Sequence, residues 1–128
     1  MTTPVTFPDA AACAVTILNA ALTPTVYTRV PNPRPATFVR LTRDGGIRRS
    51  VVVDQATIVV ECWAASEEAA QDLAQLARAA LNAAEATTVG SYGTVYRVDE
   101  VAGLSFAPDP ESDQPCYRFT VSLALRGV

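Results

Sequence analysis

The chain has 128 residues, enough for one domain over 1–128 with a proper core, and its net charge of -3 excludes nucleic-acid binding through a uniformly basic surface. Every basic side chain is Arg, with no Lys and no His, which excludes Ser-His-Asp, Cys-His, Schiff-base and phosphate-loop lysine chemistry. Cys13, Cys62 and Cys116 are odd in number and lack C-x-x-C spacing, which argues against a disulfide framework or a zinc site and for free thiols in a reducing compartment.

Met1-Thr2-Thr3-Pro4 has no basic region and no apolar run after it, so no signal peptide is expected, and nothing in the chain is long and apolar enough for a membrane span. The first helix is expected over 7–22. Thr6 and Asp9 have capping-box spacing, and Ala11, Ala14, Val15, Leu18 and Leu22 share a face. A short strand over 25–30 follows. Pro31, Pro33 and Pro35 then make a stiff connector that cannot enter a sheet interior.

Strands over 36–43 and 47–54 flank Asp44-Gly45-Gly46, which reads as a hairpin turn. Arg40, Arg43, Arg48 and Arg49 cluster around this hairpin, whose polar tip reads as an arm extending past the sheet. The central strand covers 57–64. Ile58, Val60 and Cys62 point to one side of it and Glu61 and Trp63 to the other. Ser66 caps a second helix with Glu67 and Glu68 in its first turn; Leu73, Leu76, Ala77, Ala80, Leu81 and Ala84 form its apolar face. A loop over 86–93 leads to strands at 94–101 and 103–106, with Gly103 as a bend. The last strand, 117–126, sets Tyr117, Phe119, Val121, Leu123 and Leu125 against Arg118, Thr120, Ser122, Ala124 and Arg126. That alternation marks an antiparallel sheet with one covered face. The expected class is α+β: an antiparallel β-sheet with two α-helices on one face and a protruding β-hairpin arm.

Candidate sites are few. Asp109, Glu111 and Asp113 have the spacing of a calcium loop, but Gln114 and Thr120 stand where that loop needs Gly and a bidentate acid. A proline-stiffened surface loop is the expectation, with no metal, cofactor or catalytic residue. Arg43, Arg48 and Arg49 suit acids on a partner, solvent or nucleic-acid phosphates. Trp63, on the face without helices, suits either a protein contact or cover by a loop of its own chain.

Several segments resemble the tail terminator (tail completion) proteins of long-tailed bacteriophages, in particular those infecting actinobacteria. They are Phe7-Pro8-Asp9, Arg29-Val30-Pro31-Asn32-Pro33-Arg34-Pro35, Val60-Glu61-Cys62-Trp63-Ala64, Val95-Tyr96-Arg97-Val98, and Pro108-Asp109-Pro110-Glu111-Ser112 through Pro115 to Tyr117-Arg118-Phe119. The resemblance implies a non-enzymatic structural protein at the head-proximal end of a virion tail, assembled in the host cytoplasm. It implies a hexameric ring of identical subunits that caps the tail tube and stops its polymerisation. Its partners would be the major tail tube protein and a head-side connector, with DNA passing through the channel unread. Arg40, Arg43, Arg48, Arg49, Glu61 and Trp63 are the residues expected at subunit or tube contacts. A neck adaptor and a small-molecule-binding regulatory α+β module are the alternative readings.

Overall fold

The computed structural model describes residues 4–127; Met1-Thr2-Thr3, read above for a leader, lies outside them, as does Val128. Helix α1 spans Ala10–Ala21. Its cap is Asp9, whose side chain accepts a hydrogen bond from the Ala12 N–H. The helix therefore starts later than the expected 7–22, because the Asp9 carboxylate, one residue before the first turn, satisfies one of its orphan donors. Ala10, Cys13, Ala14 and Leu18 are its buried stripe.

The first strand, β1, is only Val26–Tyr27, and it pairs in parallel with β2, Phe38–Arg48. β3, Val53–Trp63, returns antiparallel. The chain reverses over 49–52, where Arg49 and Ser50 N–H groups both donate to the Val53 carbonyl. Asp44-Gly45-Gly46 is therefore a bulge within β2 and not the hairpin turn. The register steps from Arg43↔Ile58 to Gly46↔Ala56, with one extra residue on β2. Gly46 has φ +113°, and a Cβ there would collide with the Gln55 carbonyl, so the glycine is required for pairing to continue past the bulge.

Helix α2 spans Glu67–Ala83 and is capped by Ser66, whose Oγ accepts from the Ala69 N–H at 3.1 Å. Its buried residues are Ala70, Leu73, Ala74, Ala77 and Leu81. Leu76, expected on this face, is 62% exposed, because three residues after Leu73 the helix has already turned it off the stripe centred on Ala70, Ala74, Ala77 and Leu81. The expected loop at 86–93 contains β4, Thr87–Val89, and a single 3-10 turn, Gly90–Tyr92. β5 runs unbroken through Gly93–Phe106, absorbing the expected bend at Gly103 in register shifts around Ala102. β6 is Cys116–Arg126.

The sheet order is β1-β2-β3-β6-β5-β4, with every pairing after β1–β2 antiparallel. The fold is the expected α+β class, with both helices on one face. β3 and β6 pair without a bulge from Val53↔Arg126 to Trp63↔Cys116. Ile58, Val60, Phe119, Val121, Leu123 and Leu125 from these strands meet Leu18 and Leu73 in one core. Phe119→Ala should cost about 3–5 kcal/mol through lost burial and the cavity it leaves. Chemical denaturation checks this, and an unchanged midpoint would show that the β6 faces are assigned the wrong way round.

Candidate functional site

On β3 the residues between the core positions face away from the helices. Glu61 and Trp63 lie on this side, opposite Arg40 and Phe38 of β2 and Arg118 and Cys116 of β6. Trp63 is only 6% exposed. It stacks on Phe38 with ring centroids 5.2 Å apart and planes 16° apart, and Tyr27 meets Phe38 edge-on. Tyr27, Val30, Phe38, Trp63 and Cys116 form a second small core, separate from the one beneath the helices. Of the two readings of Trp63, cover by its own chain is what the structure places there.

That cover comes from two proline-rich loops, 28–37 and 107–115, far apart in sequence. The Arg34 guanidinium lies 4.8 Å from the Trp63 ring centroid, a cation–π contact. From the same Nη1 it donates to Asp109 Oδ2 at 2.8 Å, to Ser112 Oγ at 3.1 Å and to Gln114 Oε1 at 3.3 Å. Gln114 Nε2 donates back to the Ala36 carbonyl at 3.0 Å. Asp109, weighed above as a calcium ligand, thus serves as an acceptor that ties the loops together. Among the described residues no group of His, Cys, Asp and Glu is arranged to hold a metal ion.

Under the latch lies a cavity of about 470 Å³, lined in part by Val30, Trp63, Pro108, Arg40, Glu61 and Arg118. Its size falls within the range of about 300–1,000 Å³ usual for small-ligand sites. Arg40 and Glu61 are cross-strand neighbours joined by a salt bridge, with Arg40 Nε 2.8 Å from Glu61 Oε1. Arg118 is the register partner of Glu61 on its other side. It has no hydrogen bond or ion pair among the described residues, and it also lines a neighbouring cavity of about 310 Å³ beside β5. Trp63 Nε1 is a buried donor without an acceptor.

The remaining sequence candidates lie elsewhere. Arg43 faces the helix side and holds the largely buried Asp54 at 2.9 Å, while its Nε donates to the Gly45 carbonyl across the bulge. Arg48 and Arg49 are exposed at the hairpin end, at the opposite end of β3 from Trp63, next to exposed Ile47, Val51 and Val52. The structure therefore brings Arg40, Glu61 and Trp63 together and leaves Arg43, Arg48 and Arg49 apart from them. Arg34 and Arg118 were not among the candidates, and Asp109 was weighed only as a calcium ligand; of the first two only Arg118 had a signal, its alternation onto the open face of β6. The three thiols are free and buried, and burial pushes Cys13 up to about 11, Cys116 up to about 12 and Cys62 higher still, which leaves none of them poised as a nucleophile. No helix among the described residues is long and apolar enough to cross a membrane.

A model of the Roadblock/LC7 domain matches residues 36–94, just under half of the chain. No curated protein matches the chain. The matched segment is the β2–β3 hairpin, helix α2, β4, the 3-10 turn and the first two residues of β5. The match overturns the resemblance to tail terminators and the tube-capping function drawn from it, neck adaptor included. Most motifs behind that resemblance fall outside 36–94 and have local explanations here. Phe7-Pro8-Asp9 is a helix cap, and the two proline-rich segments are the halves of the latch over Trp63.

The latch has a measurable acid limit. Hydrogen bonds from Ser112, then from Arg34, lower the Asp109 carboxyl from 3.8 to about 2. Because the folded value is the depressed one, this stabilisation is complete above the unfolded value and is lost as pH falls from 3.8 towards 2. Carboxyl-carbon NMR should give Asp109 a midpoint of about 2, and Arg34→Ser should move it back towards 3.8. A midpoint already near 3.8 in the unsubstituted protein would mean the loops are not joined in solution.

Proposed function

We propose that this chain is a small regulatory module that works by non-covalent association with a protein partner and performs no catalysis. The observation that carries the reading is the Roadblock/LC7 match, since that is a small α/β family of dynein light chains and GTPase regulators. The residue supply supports it. Without His or Lys, and with its thiols buried, the chain has few groups suited to proton transfer or nucleophilic attack.

The end of the matched hairpin is the contact surface we assign. Val51 is 63% exposed and Ile47 60%, and Arg48 and Arg49 lie beside them without ion-pair partners among the described residues. Exposed apolar side chains next to arginines combine burial with directional pairing to a partner's carboxylates. Arg43, paired with Asp54, is not assigned to this surface.

Sedimentation of the full chain with the small GTPases encoded in the same genome tests the reading. A complex of fixed stoichiometry is expected with one of them. Joint replacement of Arg48, Arg49 and Val51 by Ser should weaken it about tenfold or more. The melting temperature should hardly move, because exposed positions carry little folding energy. Components that sediment independently at micromolar concentrations would contradict the proposal.

A further inference from the structure

We propose that the cavity beneath the latch binds a monoanionic carboxylate carried on a short apolar body, with Arg118 as its charge partner. This goes beyond the regulatory reading and does not depend on it, since the cavity and the hairpin surface lie at opposite ends of β3.

Charge determines the ligand class. Three guanidinium groups and two carboxylates line the cavity. Arg34 is committed to Asp109 and Arg40 to Glu61, so both carboxylates are neutralised within the protein. Arg118 remains, unpaired among the described residues and one strand over from a Glu61 already held by Arg40. One uncommitted positive charge matches a single negative charge and is a poor match for a phosphate dianion. Guanidinium presents a planar fork, which fits the two oxygens of a carboxylate.

A second observation is independent of the charges. Trp63 lines the cavity, is more than nine-tenths buried, and leaves Nε1 without an acceptor. That N–H has almost no accessible surface, so Trp63 offers the cavity an apolar wall and not a hydrogen bond. The apolar part of the lining, Val30, Ala107, Pro108 and Pro110 with the Trp63 ring, accounts for the short hydrocarbon body. The loops that carry these residues are tied by Arg34 and Gln114, so the wall is organised before a ligand arrives.

Trp63 is the one tryptophan in the chain, so its emission reports on the site directly. The probes are cyclohexanecarboxylate, its neutral amide and inorganic phosphate, each titrated into the full-length protein. A saturable change in Trp63 emission is expected with the carboxylate, at least about tenfold tighter than with the amide or phosphate. Arg118→Ser should abolish saturation, and Arg118→Lys should retain weakened binding, because it keeps the charge and loses the fork. Arg118 is exposed, so circular dichroism of both variants should match the parent. If Arg118→Ser failed to fold, the ligand series and Arg118→Lys would still decide the matter. Equal binding of acid and amide, phosphate as tight as carboxylate, or saturation unchanged by either Arg118 variant would each overturn the proposal.

Discussion

Trp63 ends the central strand with its ring on the side the helices leave bare, and covering that ring organises everything on the open face. The alternation of β3 allows no other placement. Ile58, Val60 and Cys62 must face α1 and α2 to fill the main core, which sends Glu61 and Trp63 the opposite way. A large indole left in water would forfeit about 1.5–3 kcal/mol or more of burial. Stacking on Phe38 covers one side of it, and the Arg34 guanidinium covers part of the rest. Arg34 can do so only because Asp109, Ser112 and Gln114 from a loop some 75 positions away hold its guanidinium in place.

The cavity and its charge pattern follow from that arrangement. A latch bridging 28–37 and 107–115 roofs the open sheet face beside Glu61, and the row Arg40, Glu61, Arg118 becomes its floor. Strand register places the acid between two arginines, and one cross-strand bridge leaves the second arginine uncommitted. The Roadblock/LC7-like segment, 36–94, supplies Arg40, Glu61 and Trp63. Arg34, Asp109 and Arg118 come from outside it. The open-face cavity thus draws on residues inside and outside the segment similar to the Roadblock/LC7 domain, while the hairpin end lies within that segment.

Local chemistry was legible in the sequence; what depended on distant chain segments was not. Ser66 as a cap and the core face of 117–126 need only neighbours a few residues away, and both were read correctly, although Ser122 and Ala124 on the other face are buried as well. Asp44-Gly45-Gly46 has the residues of a tight turn, yet it is a bulge. The deciding fact is the closeness of Gly46 to Gln55 on the next strand, which no local pattern reveals. Helix α1 read as opening on a capping box of Thr6 with Asp9 three residues later, whereas Asp9 is itself the cap. Arg43 read as part of an exposed arginine cluster because its partner, Asp54, meets it only after β2 and β3 pair. The proline-rich segments read as connectors and family markers, since the bonds that join them span most of the chain.

The latch over Trp63 is the central claim, and acrylamide quenching of tryptophan fluorescence tests it most directly. With a single tryptophan the signal is unambiguous. The account predicts weak quenching in the native protein, and a clear rise towards the unfolded value in Arg34→Ser with the secondary structure intact. Native emission quenched as freely as in the unfolded chain, or unchanged by Arg34→Ser, would contradict it.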